Sequence, residues 1–117
     1  MQLDVERQDD ACVIRVGEAR IDAAVATAFK EAVRKAAGDD TPRVVLDLAA
    51  VDFLDSSGLG ALVAVMKLMG AGRRLELAAA QPNVRRVFDL TRMDRVFTIH
   101  ATLEDALAQP GPLRGTG

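Results

Sequence analysis

The stretch 44–69 constrains the fold of this chain more than any other segment. It opens with the apolar run Val44-Val45-Leu46, and such β-branched runs are typical of a strand buried on both faces. After a short loop, the sequence Asp55-Ser56-Ser57-Gly58-Leu59-Gly60 leads into an apolar segment with helical spacing. Asp and Ser are preferred at helix N-termini. The stretch therefore predicts a buried strand, a loop, and a helix whose start carries hydroxyl and carboxylate groups.

Strands and helices alternate along the rest of the chain. Residues 3–5 and 12–16 predict a hairpin, and Asp22 is positioned to cap the helix that follows. Later strands are expected at 44–48, 74–77 and 96–99, each followed by a helix. The order β-β-α-β-α-β-α-β-α predicts an α/β fold, a single domain at 1–108 with a mixed, mainly parallel sheet flanked by helices. The Pro/Gly-rich segment 109–117 is expected to be a flexible tail.

Composition excludes several classes of protein. The 117 residues carry a net charge of -2 and include no Trp or Tyr, so nucleic acid is not an expected partner. Cys12 is the single cysteine, which excludes a disulfide framework and favours a buried thiol. The chain shows no signal peptide, and its longest uncharged apolar run, 59–66, is too short to span a bilayer. We expect a cytoplasmic protein without membrane insertion.

Catalytic patterns are incomplete in this sequence. Neither serine of the 55–60 segment has a glycine two residues before it, as a nucleophile elbow requires, and His100 is the only histidine. Gly58-x-Gly60 lacks the third glycine of a dinucleotide-binding loop because Val63 occupies that position. Asp52 and Asp55 have no third ligand at metal-binding spacing. We therefore expect neither an enzyme nor a bound cofactor or metal.

Two features of the central helix go beyond a capped helix start. Gly58 and Gly60 each cost about 1 kcal/mol relative to Ala in a helix, which predicts close approach of another backbone or of a partner. The helix is also apolar on the side opposite its core-facing residues, at Ala61, Ala64, Val65 and Leu68. Either a partner or a neighbouring helix could cover this side.

The chain resembles the STAS domains of anti-sigma factor antagonists. The resemblance lies in Val-Val-Leu-Asp-Leu followed by Val-Asp-Phe-Leu-Asp-Ser-Ser-Gly-Leu-Gly, and it continues through Pro82-Asn-Val-Arg-Arg-Val-Phe-Asp-Leu and Met93-Asp-Arg-Val-Phe. It begins near Asp22 and its helix and covers most of residues 3–108. The expected order of strands and helices is also that of the family.

The resemblance implies a phosphorylation switch. Ser56 matches the serine that an anti-sigma factor with serine kinase activity phosphorylates in such proteins. The unmodified form binds that kinase and frees a sigma factor, and a serine phosphatase restores it. The residues implied in partner binding are Asp22, Asp55, Ser57, Gly58, Leu59 and Gly60. Gly17–Asp22 is about two residues longer than the usual family spacing, and Arg92 stands where many relatives have a small residue or Gly.

An alternative keeps the fold and changes the role. The chain would then be a scaffold subunit of another signalling assembly or of a phospholipid-transport complex, with Ser56 silent or used differently. The complete Asp-Ser-Ser-Gly sequence favours the switch, since a scaffold needs no hydroxyl at that position. A small ATP-binding kinase gene beside this one would favour the antagonist, and transporter genes would favour the scaffold.

Overall fold

Seven strands and four helices make up the part of the chain that the computed structural model describes, residues 1–8 and 10–108. In chain order they are β1 (Leu3–Gln8), β2 (Ala11–Val16), β3 (Arg20–Ile21), α1 (Ala26–Ala37), β4 (Arg43–Asp47), β5 (Phe53–Leu54), α2 (Ser56–Met69), β6 (Arg74–Ala78), α3 (Pro82–Leu90), β7 (Thr98–His100) and α4 (Leu103–Ala108). A 3-10 turn at Met93–Arg95 connects α3 to β7. The tail predicted at 109–117 lies outside the described residues.

The main sheet has five strands in the order β1-β2-β4-β6-β7. β1 pairs antiparallel with β2, whereas the other three pairings are parallel. The central strand β4 is buried on both faces, with Val44, Val45 and Leu46 fully inaccessible. The α/β class, the mixed and mainly parallel sheet and the predicted hairpin are therefore confirmed. The predicted element order is present but incomplete, because β3 and β5 form an additional two-stranded parallel sheet.

The main core lies between the sheet and the helices α1 and α2. Phe29 and Val33 of α1 and Leu62 and Val65 of α2 are fully or almost fully buried there. Because α1 packs along α2, it covers most of the second apolar side of that helix. Only Leu68 of this side is largely exposed, at 58%. The neighbouring-helix interpretation is thus correct for most of this surface.

The start of α1 differs from the prediction. Asp22 does not cap this helix, which begins at Ala26 after Val25 as the N-cap residue. The Asp22 carboxylate instead accepts a hydrogen bond from the backbone N–H of Ala24 at 3.1 Å. The Asp22 carbonyl accepts another from the N–H of Val25 at 3.1 Å. Asp22 therefore organises a turn that precedes the helix.

The other face of the sheet holds a buried charged cluster. Glu76 alternates with leucines along β6, yet it is fully buried beside Arg43, which is 3% exposed. Both Glu76 carboxylate oxygens accept hydrogen bonds from Arg43 at 2.8 Å, and His100 Nε2 lies 2.7 Å from Oε1. Arg43 also donates to the carbonyl of Ala106 at 2.5 Å. The cluster thus connects β4, β6, β7 and α4.

None of the helices in the described part of the chain combines the length and apolar character needed to cross a membrane.

Candidate functional site

The small sheet formed by β3 and β5 brings two carboxylates to one end of the fold. Arg20 pairs with Phe53 and Ile21 pairs with Leu54 in parallel register. Asp22 and Asp55 directly follow these two strands, so both lie at the same end of the pair. The backbone N–H of Asp55 also donates to the carbonyl of Ile21 at 3.4 Å. The site therefore combines two segments that are far apart in sequence.

The start of α2 presents a serine hydroxyl to solvent. Asp55 is the N-cap residue, and its carboxylate accepts a hydrogen bond from the N–H of Gly58 at 3.0 Å. This is the usual N-cap contact with the third residue of a helix. Ser56 is therefore the first helical residue and is exposed, whereas Ser57 is the second and is half-buried. Among the three candidate capping side chains, Asp55 makes the cap and leaves the Ser56 hydroxyl accessible.

The two glycines of the motif have different surroundings. A Cβ atom at Gly58 would overlap the carbonyl oxygen of Ile21 and lie 2.7 Å from Cδ1 of Leu54. Gly58 is buried, so close approach of the chain's own backbone explains it. A Cβ atom at Gly60 would meet nothing within 4 Å, and this residue is exposed. Packing within the described fold therefore accounts for Gly58 but not for Gly60.

Asp22 lies in a polar arrangement with Arg20. The Arg20 Nε donates to the Asp22 carboxylate at 3.3 Å, and the Arg20 guanidinium lies 4.1 Å from the centre of the Phe53 ring. The Asp22 side chain remains 25% exposed. Stacking on the aromatic ring restrains Arg20, which in turn helps to orient the Asp22 carboxylate.

Hydrogen bonds to the backbone support the loop before the motif. The carbonyl of Ala19 accepts from the N–H groups of Asp52 at 2.8 Å and Phe53 at 3.2 Å. From the start of α3, the Asn83 side-chain amide donates to the carbonyl of Asp52. Gln81 donates to the carbonyl of Ala49 at 2.8 Å. Segments before and after the motif thus fix the position of the α2 start.

The sequence-predicted site residues occupy three kinds of position. Asp22, Asp55 and Ser57 are partly exposed at or beside the start of α2, and Ser56 and Gly60 are exposed. Leu59 is half-buried and packs against the main core. Gly58 supports the site from beneath rather than forming its surface. The sequence analysis did not identify Arg20 or Asn83 as part of the site, since their contributions depend on contacts between distant segments.

Comparison with known proteins connects this arrangement to one family. The model of the STAS domain matches residues 2–106. Anti-sigma-F factor antagonist RsfB of Mycobacterium tuberculosis is 33% identical over 103 residues, covering 88% of this chain and 84% of that protein.

Solved structures agree with this match. The crystal structure of an anti-sigma factor antagonist from Mycobacterium paratuberculosis has a TM-score of 0.81 at 36% identity, covering 91% of this chain and 90% of that one. An anti-sigma-factor antagonist (STAS) domain protein from Planctomyces limnophilus shares the fold, with a TM-score of 0.78 at 22% identity and coverage of 90% and 94%. The resemblance drawn from the 55–60 motif is confirmed, and the chain belongs to the STAS domain family.

Proposed function

We propose that this chain is an anti-sigma factor antagonist that phosphorylation of Ser56 switches off. In the unmodified state it binds a cognate anti-sigma factor with serine kinase activity, which releases a sigma factor. A metal-dependent serine phosphatase removes the phosphate. The observation that carries this proposal is the exposed Ser56 hydroxyl at the first position of α2, next to the Asp55 cap and the Asp22 turn. The names of the relatives support the antagonist part of this proposal.

The charge of the phosphate is the physical basis of the switch. A phosphoserine carries about -1.5 to -2 charges at neutral pH. The N-terminus of α2 favours such a charge by roughly 0.3–1 kcal/mol, so the helix persists. Asp22, which pairs with Arg20, and Asp55 already place two carboxylates at this end. A docked partner would bury the phosphate beside these carboxylates, and the resulting like-charge repulsion and desolvation oppose binding. A hundredfold loss of affinity requires only about 2.7 kcal/mol, which like-charge contact and desolvation can supply.

The proposed partner-binding residues have two roles: some contact the partner, and others hold the contacting residues in place. We propose that Asp22, Asp55, Ser57, Leu59 and Gly60 face the partner around Ser56. Asp55 also holds the helix start, and Gly58 acts by allowing Ile21 to approach. The protein works by binding, and the chemical step belongs to the kinase.

The first test is the intact mass of the protein after incubation with ATP and each candidate anti-sigma kinase of the source organism. Wild type should gain one phosphate, and Ser56→Ala should gain none. Thr98→Ala is the matched control, because it removes an exposed hydroxyl on β7, outside the proposed contact residues, and should still be phosphorylated. Phosphate gain by Ser56→Ala would show that another residue is the acceptor and would refute this assignment.

The same experiment separates the antagonist from the scaffold. Binding of wild type to a kinase without a change in mass would favour a constitutive antagonist or a scaffold subunit. The phosphorylated protein should also keep its helix content, because the phosphate lies at a helix N-terminus. Large helix loss by circular dichroism would contradict a switch that acts at the interface. Return of the mass to that of the unmodified protein on adding the phosphatase would complete the cycle.

A further inference from the structure

A shallow cleft, largely open to solvent, lies between the helices α1 and α2 beside the proposed switch. Its volume is about 190 Å³, and its walls are formed by Ala26, Thr27 and Lys30 of α1 and Ser57, Gly60 and Ala64 of α2. Ser57, the residue after the proposed phosphoacceptor in sequence, lines the cleft, so the cleft reaches the first turn of α2. The site around Ser56 therefore continues onto α1, a helix outside the 55–60 motif.

Gly60 keeps this cleft open. It lies in the second turn of α2, where a glycine costs about 1 kcal/mol relative to Ala. A Cβ atom there would meet nothing within 4 Å, so the described fold has no packing reason to exclude one. A methyl group at this position would instead occupy space in the wall of the cleft. The glycine is explained if another molecule approaches the α2 backbone at this point.

Lys30 supplies the charge of the cleft. It is half-buried, and the other wall residues are uncharged. Within residues 1–8 and 10–108, no carboxylate forms an ion pair with its ammonium group. In contrast, the exposed Arg34 on the same helix pairs with Glu31 at 2.9 Å. Lys30 thus offers an unpaired positive charge in a cleft that also reaches Ser57 in the first turn of α2.

We propose that this cleft receives an acidic side chain of the anti-sigma kinase, with Lys30 pairing with its carboxylate. The inference rests on the proposed function and extends the docking surface from α2 onto α1. Opposite charges then alternate across the surface, since Asp22 and Asp55 attract basic groups and Lys30 attracts an acidic one. Such alternation fixes the orientation of a partner and rejects one that is docked in the wrong direction.

The test compares kinase binding by variants of Lys30 that differ in charge. Binding of the purified kinases of the source organism is measured by titration calorimetry in the absence of ATP. Lys30→Glu should raise Kd about tenfold or more, Lys30→Gln should raise it by a smaller factor, and Lys30→Arg should retain most of the affinity. Lys35→Glu is the matched control, because it makes the same charge change on an exposed part of α1 and should leave Kd within about twofold.

The outcomes distinguish this inference from the function on which it rests. If wild type binds none of the kinases, the proposed function fails and the inference fails with it. If wild type binds and Lys30→Glu weakens binding no more than Lys35→Glu does, only the inference is overturned. Thermal melts confirm that each variant is folded, and Lys30→Gln decides the question if charge reversal disrupts α1. A loss of kinase affinity confined to Lys30→Glu and Lys30→Gln supports the proposal that the cleft binds an acidic side chain of the kinase.

Discussion

Gly58 and Gly60 lie on the same helix, yet they differ in what a side chain at each position would encounter. The carbonyl of Ile21 lies against Gly58, whereas the space beside Gly60 is open. The sequence places both glycines at an energetic cost to α2, but it does not say which one the fold itself requires. That difference depends on β3, which reaches the helix from a distant part of the chain.

Paired alanine substitutions should therefore change stability in opposite directions. Gly58→Ala forces the backbone of Ile21 or of α2 to move, and we expect a loss of about 1–3 kcal/mol in the free energy of unfolding. Gly60→Ala meets no neighbour, and we expect a gain of about 1 kcal/mol from helix propensity. Urea unfolding of both variants measures these values. Equal effects of the two substitutions would contradict the assignment of separate roles.

Arg92 has a backbone conformation that most side chains avoid. Its φ angle is +62°, in the left-handed region, at the point where α3 passes into the 3-10 turn. For an L-residue this conformation costs roughly 1–2 kcal/mol, and Gly adopts it readily. The structure thus gives a physical reason for Gly at this position.

Replacement of Arg92 by Gly should raise stability. We expect the free energy of unfolding to increase by about 0.5–1 kcal/mol. Removing the backbone strain stabilises the folded state by more than the extra conformational entropy of Gly stabilises the unfolded chain. Arg95→Gly is the control: it also removes an exposed arginine, but from a residue outside the left-handed region, and it should destabilise. Thermal unfolding followed by circular dichroism compares the two. A lower melting temperature for both variants would show that the contacts of the Arg92 side chain stabilise the fold by more than its backbone strain destabilises it.

At the scale of elements, the sequence predicts the long strands and helices, whose apolar residues recur with a regular period. It does not predict the two-residue strands, which depend on contacts between distant segments. The apolar periodicity of 44–69 correctly indicated β4 and α2. β3 and β5 have two residues each, too few for a period, and they exist because Ala19 and Ile21 hydrogen-bond the loop before α2. Asp22 directly follows β3, and its side chain and carbonyl accept hydrogen bonds from the N–H groups of Ala24 and Val25, so it forms a turn instead of capping α1. The motif residues of the site were therefore predictable, and their placement beside Asp22 rested on the resemblance alone.

The capping role of Asp55 can be separated from its charge. Asp55→Asn keeps a side-chain oxygen for the N–H of Gly58, so the free energy of unfolding should change little. Asp55→Ala removes the cap and should cost about 1 kcal/mol. Urea unfolding gives both values. If Asn destabilises as much as Ala does, the negative charge rather than the hydrogen bond stabilises the start of α2.

At the scale of the whole molecule, the buried charged cluster connects parts of the fold that the motif does not reach. Glu76 alternates with leucines in sequence, which ordinarily indicates a strand with one polar face. Its burial could not be predicted, because Arg43, Arg74 and His100 surround it only after β4, β6 and β7 have paired. Removal of one partner from such a cluster leaves a buried charge without compensation. The cluster is therefore important for the integrity of the sheet and for the docking of α4.

This cluster should make the fold sensitive to acid. Burial alone would raise the pKa of Glu76, but hydrogen bonds from Arg43, Arg74 and His100 outweigh burial and lower this pKa from 4.5 to about 2. Because the folded-state pKa is the lower one, the stabilisation is fully present above about pH 4.5 and is lost as the pH falls towards 2.

We expect Glu76→Gln to cost about 3–5 kcal/mol near neutral pH, since it leaves Arg43 buried without its anion. The variant should also show a weaker dependence of stability on pH than wild type below pH 4.5, where Glu76 titrates in the unfolded chain. Urea unfolding at a series of pH values measures both effects. Parallel pH profiles for the two proteins would show that other carboxylates control acid unfolding. Convergence of the two profiles at low pH would identify Glu76 as the group whose protonation destabilises the contacts between the sheet and α4.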